Sequence, residues 1–335
     1  MQGKSESSAS GETSSARPRR ILLLGATGTI GRATLAALLR QGHDVVCLVR
    51  GASRTELLAG AEVRLGDVRD LRSLAAEGFR GERFHAVVSC MASRTGAPKD
   101  AWAVDYQAHV NLLEAARNVG VGHFVLLSAI CVQKPLLAFQ QAKLAFEKLL
   151  IESGMRYSIV RPTAFFKSLS GQVERVKQGK PYLMFGNGEL TACKPISDGD
   201  LADFLVACLD DPQRWNRVLP VGGPGDAITP RQQGEHLFAL LGRPPRLRRV
   251  PVALLDVIVR VLSTVGRVVP AVGEKAEFAR IARYYATESM LVFDRQTGRY
   301  DAAATPSTGR ETLFDFYSSL VEGRAVPERG DHAVF

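Results

Sequence analysis

Apolar residues in the first two-thirds of the chain fall into short blocks separated by longer amphipathic stretches. The blocks lie at 21–24, 45–49, 62–65, 86–89, 124–127, 157–160 and 217–221. Between most of them apolar positions recur at helical spacing, most clearly over 33–39, 101–119 and 139–153. Strands alternating with helices predict a parallel sheet covered on both faces. No internal repeat is present.

From Asp226 the pattern changes. Thr229 and Pro230 open a helix over 231–241, a capping residue followed by proline in the first turn. A basic stretch, 243–249, follows. Next comes an apolar segment, 252–269, interrupted by Asp256, Arg260 and Arg267. Those charges and Pro270 argue against a membrane-spanning helix. One reading is an amphipathic helix packed on the C-terminal lobe. The other is an interfacial helix with basic flanks, giving peripheral membrane contact through 243–270. The expected fold is therefore α/β, a Rossmann-type doubly wound parallel sheet with a smaller, mainly helical C-terminal substrate lobe. The expected layout is a polar tail at 1–19 that cannot bury apolar area, then the nucleotide-binding domain at 20–225 with a substrate-side insertion at about 166–195. The lobe follows at 226–323, and a second tail at 324–335.

The junction of the first strand and first helix, 21–32, reads ILLLGATGTIGR. Gly25, Gly28 and Gly31 stand between a strand and a helix, the context that makes a glycine fingerprint credible. Gly25 allows the turn, Gly28 admits a pyrophosphate, and Gly31 lets the helix pack on the strand. Thr27, Thr29 and Ile30 complete the loop, and the helix N-terminus receives the phosphate charge. The plain alternative is a glycine-rich connector that binds nothing. The second strand ends at Arg50, with Arg54 close behind and no carboxylate at its end. An arginine there accommodates a 2′-phosphate, so NADPH is expected over NADH; the alternative is that Arg50 caps an exposed strand end. Asp67 and Val68 follow the third strand, where a short acid reaches the adenine or only stabilises a turn. Ser89 to Ala92 end the fourth strand, where small residues would leave room for the nicotinamide ribose.

Composition adds limits. Across 335 residues, 46% hydrophobic and 23% charged is ordinary for a globular protein. The net charge of +9 favours acidic partners, but no nucleic-acid module accompanies it, so nucleic acid is not expected. The five cysteines and six histidines show no metal-ligand spacing, so no metal site is expected. No apolar signal segment opens the chain, and the cysteines read as reduced thiols of a cytoplasmic protein.

These segments together resemble the atypical, extended short-chain dehydrogenase/reductases. Their usual pattern has a serine after the fifth strand and then Tyr-x-x-x-Lys. Ser128 and Lys143 occupy the outer positions here, but the tyrosine position holds Phe139. The resemblance implies that Lys143 holds the nicotinamide ribose, and that Pro162 and Phe165 lie along the nicotinamide. The second half narrows the match. The strings KPISD (194–198), DLA (200–202), VLPVGGPG (218–225), YATESM (285–290), GRYD (298–301) and ATPSTG (304–309) resemble the divinyl chlorophyllide 8-vinyl reductases over about 20–322.

That resemblance implies NADPH-dependent reduction of the C8 vinyl group of 3,8-divinyl chlorophyllide, or its protochlorophyllide relative, to ethyl. The tetrapyrrole brings its own Mg²⁺, and the implied location extends to the surface of a photosynthetic membrane. A conjugated vinyl group accepts hydride with charge spread into the macrocycle, so no carbonyl oxygen needs the missing tyrosine. Lys143 and Ser128 are the catalytic candidates. Lys143 ranks first as proton donor, with water, Tyr182 or Tyr285 as alternatives. Phe165, Phe166, Leu183, Met184 and Phe185 would receive the flat ring, and Lys167, Arg175 or Lys194 the propionate. The competing readings are another reductase of the same superfamily and a non-catalytic NADPH-binding scaffold or sensor, since fold alone does not fix function.

Overall fold

The structure is a computed structural model that describes residues 18–51, 55–266 and 269–325. Arg54, Arg267 and most of both expected tails lie outside the described residues.

Eleven strands are named in chain order: β1 Arg20–Leu24, β2 Asp44–Val49, β3 Glu62–Leu65, β4 Ala86–Ser89, β5 His123–Leu127, β6 Arg156–Pro162, β7 Tyr182–Phe185, β8 Arg217–Val221, β9 Leu247–Val250, β10 Val292–Asp294 and β11 Arg299–Asp301. Seven of them form one parallel sheet in the order β3-β2-β1-β4-β5-β6-β8. The order reverses beside β1, which pairs with β2 on one side and β4 on the other. Ligands of open α/β sheets bind outside the carboxyl ends of the strands at such a switch point.

The apolar blocks are continuous because both faces of the sheet are buried. Ile21 and Leu23 face one core, packed with Leu35 and Leu38 of the helix Thr29–Arg40 and Leu201 and Leu205 of the helix Asp198–Ala207. Leu22 and Leu24 face the other, with Leu112 of the helix His109–Asn118 and Phe146 of the helix Ala138–Glu152.

The C-terminal lobe is mainly helical, with the helices Pro230–Leu240, Val252–Gly266, Pro270–Thr287 and Leu313–Val321 and a short antiparallel pair, β10 with β11. The inserted segment joins it. Phe166, Val173, Val176, Tyr182 and Met184 share a core with Leu237, Phe238, Leu313, Tyr317 and Leu320. The basic stretch contributes β9, which pairs in parallel with β7.

The stretch expected as one helix over 101–119 is broken. A short helix, Pro98–Ala101, passes into a wide π turn, Trp102–Ala108, before the α-helix resumes at His109. Such wide turns recur at functional sites, and this one buries Asp105.

Candidate active site

The site is built at the carboxyl ends of β1, β4, β5 and β6. Gly25 has φ +75, and a Cβ there would lie 2.6 Å from the Cys90 backbone beyond β4. A Cβ on Gly31 would overlap the Gly25 carbonyl. Both positions therefore exclude a side chain so that helix, turn and neighbouring strand can close together. Gly28 is exposed, and its nearest neighbour to a Cβ would be only the Gly25 carbonyl at 3.3 Å. The helix Thr29–Arg40 begins at Gly28 with no side-chain cap and no acid in its first turn. Its first amides and positive dipole end are thus presented to an anion. Thr27 and Thr29 are half-buried around this end, and Ile30 is buried beneath it. Lys167 reaches the same end and donates to Thr29 Oγ1 at 2.7 Å.

At the ends of β2 and β3, Arg50 is exposed and acts electrostatically on Asp67. The Asp67 carboxylate accepts hydrogen bonds from Arg69 Nε, at 3.0 Å, and Nη2, at 2.7 Å. That pairing holds Asp67 below the usual carboxylate range. Val68 is buried in the core below. Of the two arginines expected at this corner, Arg50 stands at the end of β2 and Arg54 lies outside the described residues; Arg69, beyond β3, adds a guanidinium that carries no motif sequence reading would have marked.

Of the residues expected along the nicotinamide, Ala92 is exposed and Pro162 buried, while Phe165 packs on the sheet core and bridges to Ile196. Lys143 is nearly buried and forms an ion pair with Asp105 at 2.9 Å, the lysine side chain 10% and the aspartate 0% exposed. The Ser93 amide donates to the same carboxylate oxygen, Oδ1. Oδ2 has no hydrogen-bond partner among the described residues. Beside this pair, His109 links Ser89 Oγ at 2.9 Å to the Val104 carbonyl at 2.9 Å. Burial and the Lys143 ammonium push its imidazole down to about 4.

Ser128 donates to Glu147, four residues beyond Lys143 on the same helix, and Glu147 pairs in turn with Arg161 of β6. The hydroxyl is therefore committed to a buried Ser–Glu–Arg chain. Phe139 lies one turn before Lys143 and packs with Cys131, Ile281 and Tyr285. Tyr285, from the helix Pro270–Thr287, brings its hydroxyl 4.0 Å from Cys131 Sγ. Burial raises both groups, the Tyr285 phenol well above its ordinary range. A tyrosine hydroxyl absent at Phe139 is thus present nearby, supplied by the lobe.

The arrangement suits a dinucleotide: an open anion-receiving helix end, guanidinium groups at the ends of β2 and β3, and a nearly buried lysine fixed by Asp105. An NAD(P)H-binding family model matches residues 25–212. The divinyl chlorophyllide a 8-vinyl-reductase of Oryza sativa subsp. indica, a chloroplastic protein, is 50% identical over 94% of this chain and 82% of its own length. The chain belongs to the divinyl chlorophyllide a 8-vinyl-reductase family. The photosystem II assembly factor Ycf39 of Cyanophora paradoxa is 30% identical over 70% of the chain and 73% of its own length. A leucoanthocyanidin reductase–NADPH complex from Vitis vinifera shares the fold, with TM-score 0.67, 16% identity, and 90% and 99% of the two chains covered.

In this vinyl-reductase family member the distinctive strings converge on one junction between sheet and lobe. Lys194 donates to the Thr305 carbonyl at 3.0 Å and to Ser307 Oγ at 3.1 Å. The Gly222 amide donates to the Pro306 carbonyl, and Asp200 accepts the amides of Arg310 and Glu311. The Met290 amide donates to the Ala192 carbonyl. Lys194 thus serves this joint, and Arg175 donates to the Pro181 carbonyl. Of the three cations considered for the propionate, Lys167 alone stands at the glycine turn. Among the described residues, no helix is long and apolar enough to cross a membrane.

Proposed function

We propose that this chain reduces the C8 vinyl group of 3,8-divinyl chlorophyllide, or its protochlorophyllide relative, to ethyl with NADPH. The observation that carries the reading is 50% identity to the rice vinyl reductase across nearly the whole chain. The site is compatible with it, having phenylalanine where a carbonyl reductase needs its acid, beside a retained lysine.

Bound NADPH supplies hydride. In this reading the amides and side chains of Gly25, Thr27, Gly28, Thr29, Ile30 and Gly31 cradle its pyrophosphate. Arg50 and Arg69 hold the 2′-phosphate, and Asp67 and Val68 border the adenine. Ala92, Pro162 and Phe165 flank the nicotinamide, and Lys143, fixed by Asp105, donates to the ribose hydroxyls. Ser128 acts as a positioning residue: through Glu147 it fixes the helix that carries Lys143. The proton for the second vinyl carbon comes from Lys143 or from the Tyr285 phenol. Phe139 and Tyr285 help exclude water, which keeps electrostatic interactions strong. The reading extends to peripheral contact with a photosynthetic membrane through 243–270.

A second reading, an NADPH-binding scaffold, is favoured by the similarity to the assembly factor and by Phe139. Anaerobic incubation with 3,8-divinyl chlorophyllide a and NADPH separates the two. A product two hydrogens heavier with a blue-shifted Soret band is expected. NADPH binding without conversion would sink the reductase reading.

A further inference from the structure

The helix Val252–Gly266 is mostly apolar, yet of its residues only Leu255 is buried. Leu254, Val257, Ile258, Val261 and Val265 recur at helical spacing and so share one face. That face is open: Val257 is 56% and Val261 55% exposed. The opposite side is used by the antiparallel neighbour Pro270–Thr287, where Arg283 pairs with Asp256 and Arg280 donates to Ser263. Val269 and Phe278 extend the open apolar surface. Monomeric proteins rarely leave large contiguous apolar patches without a use for them.

The charges around the patch select its partner. Arg248 and Arg249 are exposed immediately before the helix and Arg260 within it, while the exposed Arg243 and Arg246 reach the carbonyls of Lys177 and Gly179. Nearby acids are neutralised, Asp256 by Arg283 and Glu277 by Arg280. An apolar face with a basic rim complements an anionic lipid surface, whereas a second copy would oppose arginines to arginines. The helix has 15 residues, about 22 Å at the ordinary rise, too short for a bilayer core of about 30 Å. It fits lying in the plane of the interface.

The neighbouring helix connects this face to the site. Phe278 points outward, while Ile281, Tyr284 and Tyr285 on the following turns enter the cluster around Phe139. We propose that these two helices dock the chain on an anionic membrane surface and admit an amphipathic substrate from the lipid into the site without passage through water. Docking stands on the surface alone; the identity of the substrate rests on the vinyl-reductase reading.

The test floats the full-length protein with vesicles of phosphatidylcholine alone or with roughly one-third phosphatidylglycerol, at low and high salt. The wild type is expected to float with the anionic vesicles at low salt. Val257→Glu with Val261→Glu, and separately Arg248→Gln with Arg249→Gln, should weaken binding at least about tenfold. Both pairs point outward, and unchanged circular dichroism and NADPH binding check the fold. The glutamate variant should also raise KM for vesicle-borne substrate while leaving turnover of detergent-dispersed substrate unchanged. Wild type that never floats overturns docking, as does a solution dimer that the glutamates dissociate. Flotation with an unchanged KM overturns entry from the lipid. Flotation without any vinyl reduction leaves docking standing and removes the reductase reading.

Discussion

Asp105→Asn tests the least legible part of the site. The substitution keeps shape but removes the charge facing Lys143. At 2.9 Å and an effective dielectric of about 20, the attraction lost is about 6 kcal/mol. Desolvation of the pair offsets part of it, and removing one partner of a buried ion pair typically costs about 3–5 kcal/mol. Urea unfolding followed by circular dichroism should therefore show about 3–5 kcal/mol less stability. NADPH binding should weaken too, because the ammonium proposed to meet the ribose is no longer fixed. Replacing both partners, Asp105→Asn with Lys143→Met, should recover most of the stability but not the NADPH affinity. A single variant within about 1 kcal/mol of wild type would refute the argument, because it would mean the pair is as weak as a solvated one.

The remaining predictions concern pH, cofactor choice and the turn. His109 and His123 both have folded values of about 4, each lowered chiefly by burial and below the unfolded 6.5. The unfolded chain thus takes up protons first as pH falls. Each histidine should cost up to about 3 kcal/mol between about pH 6.5 and pH 4, and urea midpoints flat from pH 7 to pH 5 would contradict this. Arg50→Ala with Arg69→Ala should raise KM for NADPH roughly ten- to hundredfold, since bonds to charged groups contribute about 1.5–3 kcal/mol, and leave KM for NADH nearly unchanged. An equal change for both cofactors would remove the 2′-phosphate assignment. Gly31→Ala should lower stability by about 1–3 kcal/mol and weaken NADPH binding at least tenfold, read by fluorescence titration; wild-type affinity would show that the turn can yield.

The sheet was readable because its signals are local. The apolar blocks at 62–65, 86–89 and 217–221 coincide with β3, β4 and β8, and the three glycines sit at a strand-to-helix turn. What escaped depends on distant partners. Periodicity of 3.6 carries over a π turn without a visible break, so Asp105 looked like one more polar residue on a helix. A lone acid in the apolar run WAVDY was the available signal. Glu147 stands one turn beyond Lys143, but its importance comes from Ser128, just past the end of β5, and Arg161 of β6. β9 reads as a run of arginines, since its pairing partner β7 lies far back along the chain. Lys167 reads in sequence as one more surface cation, whereas its place beside Thr29 is set by the tertiary fold.

The shared core of the insertion and the lobe fixes an order of events during synthesis. Phe166, Val173 and Val176 pack on Leu237, Phe238, Tyr317 and Leu320, whereas β8 completes the sheet at Val221. At about 5–20 residues per second, the interval between those points is roughly 5–20 s. Throughout it, the sheet has its full set of strands while the inserted segment still lacks the surface that covers it. The nucleotide-binding half can therefore mature first, and the apolar side chains of the insertion are the natural target for a chaperone on the nascent chain.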